Sequence, residues 1–173
     1  MGCLKINRTL QRLNRSMEVQ SKAGCLLAVR VRGSAGVPDD IENILKTLGL
    51  RRVNMAKIFE DTPETRGALR KVKDRVFWSE ANRQILTKLF KARSGLTDGY
   101  VKESFGVDIQ SLAEMLTSGR LRPKDLEAKG LKTVFKLHPP KGGFKRSLKN
   151  PEGRGGEVGY RKETFKQTIE RMI

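Results

Sequence analysis

TLGLRRVNMAKIFEDTPETRGALRKVKDRVF, residues 47–77, reads as a helix end, a strand, a turn, a second helix and the start of another strand. Gly49 is placed to stop the first helix, because glycine takes the left-handed C′ position without a Cβ clash. Val53 to Phe59 is rich in strand formers and short enough for a buried strand. Thr62 and Pro63 predict the next helix start, threonine as N-cap and proline at the first helical position. The stretch also carries cations. Arg51 and Arg52 sit where helix passes to strand, followed by Asn54. Arg66, Arg70 and Lys73 recur at i, i+4, i+7, which predicts one basic helical face beside the apolar residues Ala68, Leu69 and Val72. Basic groups on both a loop and a helix of one small unit predict a docked polyanion.

Working outward, Cys25 to Arg32 alternates as a strand, with Leu27, Val29 and Val31 on one side and Ala28, Arg30 and Arg32 on the other. Pro38, Asp39 and Asp40 open a helix whose buried stripe is Ile41, Ile44, Leu45 and Leu48. Arg75 to Trp78 predicts a short strand, and Glu80 to Lys91 a helix burying Ile85, Leu86, Leu89 and Phe90. The unit is then β-α-β-α-β plus a helix, an antiparallel sheet with helices on one face. Arg30 and Arg32 mark the other face as open and wet.

Ser94 to Gly99 reads as a loop before two short helices, one with Tyr100, Val101 and Phe105, the next capped by Asp108 with Ile109, Leu112, Ala113 and Leu116 inside. Pro123 starts a further turn through Leu126. Val134, Phe135 and Leu137 add a strand. From His138 to Arg161 the chain is basic, rich in Gly and Pro, and poor in anything to bury, so it reads as a long loop without secondary structure. A final amphipathic helix (Phe165, Ile169, Met172) anchors it. Four regions result: a basic extension (1–24), the β-α-β-α-β unit (25–93), a helical extension (94–131), and an added strand, basic loop and last helix (132–173). Their net charges are +4, +7, −1 and +7.

The whole chain has 173 residues and carries +17, which narrows the partners to polyanions: nucleic acid first, an anionic membrane surface second, an acidic protein third. No apolar run approaches the length of a membrane span, and the N-terminus lacks the hydrophobic core of a signal peptide. Its MGC start has Ile6 where the myristoylation pattern needs Ser or Thr. Cys3 and Cys25 make no disulfide framework and lack metal-site spacing, which fits a reducing, intracellular setting. For residues 1–24, with Leu4, Ile6, Leu10 and Leu13 among Arg8, Arg12 and Arg15, three readings stand. They are a helix on RNA, a tail disordered in isolation, and an extension preceding a natural start at Met17.

Nothing in the sequence assembles a catalytic site. The single histidine, His138, precedes two prolines and reads as a loop contact. Asp39/Asp40 and Glu60/Asp61 serve a helix start and a turn. No nucleotide-binding loop, HExxH or GxSxG pattern occurs, so no catalytic residue, metal site, cofactor or small-molecule substrate is assigned. Glycine-rich basic backbone such as Gly142 and Gly143 instead offers N–H groups to phosphate. Aromatic content is 6%, without the paired stacking residues of single-strand readers. Phe144 and Tyr160 are the two aromatics free to stack on a base.

Together LLAVRVRG, TLGLRRVN, EDTPETRGALRKVKDRV, WSEAN and FKLHPPKGGFKRS, with a closing GYR segment, resemble the archaeal ribosomal protein L-thirty family. Its relatives are bacterial L-thirty and eukaryotic L-seven. The resemblance spans about residues 25–173. Residues 1–24 have no counterpart in it, and PEGRGGEVGYR departs by carrying Arg154. It implies an α+β fold, a ferredoxin-like core with a three-stranded antiparallel sheet extended by helices. It also implies a non-enzymatic, cytoplasmic, ribosome-bound protein of the large subunit that binds 23S-type rRNA. 5S rRNA and neighbouring ribosomal proteins are further partners to weigh. RNA-facing candidates by matching position are Arg51, Arg52, Asn54, Arg66 and Lys73, then Lys136, His138, Lys141, Gly142, Gly143, Phe144, Lys145, Arg146 and Arg161. Arg30, Arg32, Arg70, Arg154 and Tyr160 join them on charge and position. The loop would order only when RNA binds. The rival class is a general nucleic-acid-binding or compacting protein; a nuclease would need a carboxylate cluster or histidine beside the basic surface.

Overall fold

The computed structural model describes residues 24–93, 98–162 and 164–173. The three readings of the N-terminal extension, Cys3, and most of the loop expected at Ser94–Gly99 lie outside the described residues. In chain order the elements are β1 (Cys25–Arg30), α1 (Asp39–Thr47), β2 (Met55–Glu60), α2 (Pro63–Lys71), β3 (Val76–Glu80) and α3 (Arg83–Arg93). There follow α4 (Asp98–Phe105), α5 (Ile109–Thr117), α6 (Pro123–Ala128), β4 (Val134–Lys136), β5 (Ser147–Pro151), a 3-10 turn (Glu152–Arg154), β6 (Gly156–Tyr160) and α7 (Phe165–Met172).

Local chemistry accounts for the expected boundaries. Thr62 takes extended geometry and its hydroxyl accepts from the Thr65 amide, with Pro63 behind it, as an N-cap requires. Gly49 follows α1 with φ +78°. Asp108 does precede α5, but its side chain makes no cap bond and pairs with Lys102 instead.

The sheet is larger than the three antiparallel strands expected. Among the described residues it has six, ordered β4-β2-β1-β3-β6-β5. The trio β2-β1-β3 lies at its centre, antiparallel throughout, and β4 adds antiparallel to β2. β6 adds parallel to β3, and β5 lies irregularly parallel to β6. Both new strands come from the segment expected to be a structureless loop. β6 contains two glycines and pairs with β3 some eighty residues away, and β5 is short and polar, so no local periodicity announces them.

A second correction concerns the faces. Every residue of β1 is buried. Cys25, Leu27, Val29 and Val31 enter a large core with Phe77 and the apolar stripes of α3, α5 and α7. Leu26, Ala28, Val76 and Trp78 enter a smaller core with Leu45, Leu50, Leu69 and Val72, under α1 and α2. The expected open face is therefore covered, because both alternating sets of β1 are apolar until Arg30. Each fully buried leucine there contributes about 2 kcal/mol relative to exposure. Edge-to-face rings lock the large core, Phe77 on Phe165 at 5.5 Å and Phe90 on Phe135 at 5.8 Å.

Candidate nucleic-acid interface

Strand register gives the sheet two unlike ends. Val29 pairs with Ala56, Arg30 with Val76 and Met55 with Lys136, while β6 runs alongside β3. The last residues of β1 and β4 therefore meet the first residues of β2, β3 and β6. The segments entering and leaving there carry Arg32, Arg51, Arg52, Lys73, Arg75, Lys136 and His138. α2 ends on the same side, bringing Arg70 and Lys71 into its last turn, where they also complement the helix dipole. Arg51, Arg52, Arg70, Lys73, Lys136 and His138 are all exposed.

Backbone bonds tie these segments into one surface. Asn54 N–H donates to the Arg30 carbonyl at 2.7 Å, and Leu137 N–H donates to the Asn54 carbonyl at 2.8 Å. Asn54 adopts φ +62°, a conformation asparagine tolerates better than most side chains. That turn throws out Arg51, Arg52 and Val53, the last 42% exposed. Val31 N–H donates to the Arg75 carbonyl, the Arg75 guanidinium to the Gly33 carbonyl, and Arg32 to the Asp74 carbonyl.

Arg30 itself does not reach the surface. It is 0% exposed. Its guanidinium donates in parallel to Glu42 Oε1 and Oε2 at 3.3 and 3.0 Å. It also donates to Ser34 Oγ and to the carbonyls of Arg32, Leu50 and Arg51. The charge read as solvent-facing is thus a strut beneath the Arg51–Arg52 turn. Its hydrogen bond holds the Glu42 carboxyl below the ordinary carboxylate range.

The basic segment after β4 is also tied down. His138 N–H donates to the Met172 carbonyl and Lys141 N–H to that of Arg171, at the C-terminal end of α7. The Arg171 guanidinium returns bonds to the carbonyls of Lys141 and Gly143 at 3.3 and 3.0 Å. Gly142 and Gly143 have φ of +76° and +71°, with open space where a Cβ would stand. Glycine is needed here for its backbone freedom. Phe144 is half-buried against the large core, whereas Lys141, Lys145 and Arg146 are exposed.

The remaining candidates lie elsewhere. Arg66 occupies the opposite end, where its guanidinium donates to Asp61 Oδ2 at 2.7 Å and to Glu80 at 3.4 Å. The Asp61 hydrogen bond chiefly raises its pKa further. Lys73 lies beyond the C-cap Val72, so the expected basic face of Arg66, Arg70 and Lys73 on one helix does not form. Tyr160, 42% exposed, is near that far end too, its hydroxyl pKa pushed up first by desolvation and then by Glu80. Arg154 is exposed in the 3-10 turn. Arg161 is 2% exposed, bonded to Glu157, Thr164 and Thr168, and its guanidinium carbon lies 5.2 Å from the Phe77 ring centre. Burial pulls its pKa down, and Glu157 opposes this.

Sequence reading passed over Arg75, Arg171 and Glu157. Arg171 had a signal, a cation in the last turn of an amphipathic helix. Glu157 had a fainter one, an acid four residues before Arg161 inside a basic stretch. Among the described residues no group of His, Cys, Asp and Glu is placed to hold a metal ion, and no helix is long and apolar enough to cross a membrane.

Comparison with known proteins follows the same line. A family profile described as ribosomal protein L30p/L7e matches residues 26–76. A protein of Desulfurococcus amylolyticus named large ribosomal subunit protein uL30 is 44% identical over 156 residues, covering 84% of this chain and 96% of its own. Proteins of the same name from Aeropyrum pernix and Methanobrevibacter smithii are 40% and 36% identical. These matches cover 84% and 85% of this chain, and 96% and 99% of the relatives.

Proposed function

Since the chain belongs to the ribosomal protein L30p/L7e family, we propose that the cationic end of its sheet is the surface that binds large-subunit rRNA. The protein is a structural constituent of the large ribosomal subunit in the cytoplasm, and it is not an enzyme. One observation carries the assignment of the surface. Exposed cations from several segments, separate in sequence, converge at one end and are pinned there by main-chain bonds.

The contact set is Arg32, Arg51, Arg52, Arg70, Lys73, Lys136, His138, Lys141, Lys145 and Arg146. Lysines and arginines there displace condensed counterions from phosphate, and arginine forks grip phosphate oxygens in pairs. In this reading residues 25–93 and 132–173 supply the RNA surface, and 94–131 buttresses the large core. Arg30 and Arg161 support the surface from within. Arg66, held by Asp61 and Glu80, and Tyr160 face other neighbours at the far end, 5S rRNA or adjoining ribosomal proteins.

Sedimentation of a cell lysate through sucrose, followed by chemical footprinting of the bound rRNA, tests this. Co-migration with the large subunit through a moderate salt wash, with footprints lost when Arg51 and Arg52 are both changed to Ala, is the expected result. Footprints unaffected by that pair would move the surface elsewhere. A pool bound equally to any nucleic acid would favour a general compacting protein.

A further inference from the structure

We propose that Glu157, an acid inside a phosphate-binding protein, is a positioning residue that sets the basic segment in shape before RNA arrives. The proposal rests on the rRNA-binding reading above. It replaces the expectation that this segment orders only on binding.

Glu157 is 2% exposed, and so is Arg161. One carboxylate oxygen accepts two consecutive backbone amides, Lys145 N–H at 2.9 Å and Arg146 N–H at 3.0 Å. The other faces Arg161 Nη1 at 3.4 Å. With both amides turned inward to one oxygen, the side chains of Lys145 and Arg146 are exposed. Arg161 is itself fixed. Its Nε and Nη2 donate to Thr164 Oγ1 at 3.0 and 2.7 Å, and Nη2 reaches Thr168 at 3.1 Å on α7. Its backbone N–H donates to the Trp78 carbonyl, so the relay is joined to β3.

A buried carboxylate is a costly way to hold a loop unless its bonds are complete. Here each carboxylate oxygen has a partner, Arg161 on one and the main-chain amides of Lys145 and Arg146 on the other. The α7 end pins residues 138–143 independently, so Glu157 finishes a segment already anchored upstream. A segment already in its binding shape avoids the affinity loss that follows when the competent state is a minor population.

The sign of the effect separates positioning from charge. Removing an anion should tighten polyanion binding if electrostatics alone decides. Positioning predicts the reverse. Glu157→Leu should weaken binding of the full chain to a 23S-type rRNA transcript about tenfold, as a loosened segment is only fractionally competent. The double change Glu157→Leu with Arg161→Met leaves net charge unchanged and replaces a buried pair with apolar groups of similar volume, which proteins often tolerate. It should weaken binding similarly. Unchanged or tighter binding in either folded variant overturns the proposal.

Amide hydrogen exchange of the wild-type chain without RNA needs no variant. Lys145 and Arg146 should exchange slowly, and free-peptide rates at both would overturn the idea even if neither variant folds. If the wild-type chain failed to bind rRNA while both amides were protected, the functional reading would fall and Glu157's binding role with it. The preformed segment would stand.

Discussion

Replacing Arg30 with Met tests whether a cation expected to touch RNA is structural. Breaking a buried ion pair by removing one partner costs about 3–5 kcal/mol. Glu42 keeps 17% of its side chain exposed, so water offsets part of that loss. Against this, the Leu50 carbonyl accepts a fully buried bond from Arg30, and an orphaned buried acceptor costs about 1–3 kcal/mol. These penalties overlap, and methionine fills part of the vacated volume. We expect a net loss of about 3 kcal/mol, a large share of the 5–15 kcal/mol typical of a folded domain. The single tryptophan, Trp78, lies in the same smaller core as Leu50 and reports urea unfolding by fluorescence. The midpoint should fall with the slope unchanged. Adding Glu42→Leu should recover much of the loss, since the lone carboxylate then disappears. In the folded variant the salt dependence of rRNA binding should match wild type. A loss under about 1 kcal/mol, or a salt slope lowered by about one, would refute the strut.

Three further outcomes follow. Arg52→Ala should lower the salt slope of rRNA binding by about one with stability nearly unchanged, while Arg66→Ala, tied to Asp61 and Glu80, should leave the slope alone. Equal slopes in both would dissolve the distinction between the two ends. Gly156→Ala would put a Cβ 1.6 Å from the Asn150 carbonyl oxygen, so it should cost about 3 kcal/mol or more in a thermal melt by displacing β5 from β6. Acid should also weaken the fold. Glu42 and Glu170 are held below their ordinary 4.5, chiefly by hydrogen bonds from Arg30 and Lys88. Their contribution is complete above that value and is lost as pH falls through the depressed folded values, so the melting temperature should drop below about pH 4.5, and Glu42→Gln should flatten the profile.

Much of the central architecture is legible in the sequence because its punctuation is local. Gly49, Thr62 and Pro63 act within a turn of where they stand, and the strand between them is short and apolar. Arg30 shows where such reading stops. Alternation along β1 says which residues share a face, yet only the return of α1 with Glu42 decides what covers it. Lys73 fails for a similar reason: the helical spacing carries on past Val72, but the helix does not. The basic segment hid β6 because a strand paired with residues some eighty positions away needs no period of its own. In the candidate surface, Arg51, Arg52 and the cations after β4 are visible as charge. Their supports, Glu157 and Arg171, are contacts between distant segments and leave almost no local trace.

The two unlike ends of the sheet have a consequence for arrival. Arg51, Arg52, Lys73 and Lys136 crowd one end, while Glu60 and Glu80 close strands at the other beside Asp61, with Arg66 drawn among them. Such a separation is a molecular dipole, and a dipole in the field of a folded RNA feels a torque as well as a pull. The protein would be turned, cations leading, before the first phosphate is touched, which raises the fraction of productive encounters at low salt. Adding salt should therefore slow association as well as weaken the complex, because screening removes the orienting field over about 10 Å at 0.1 M.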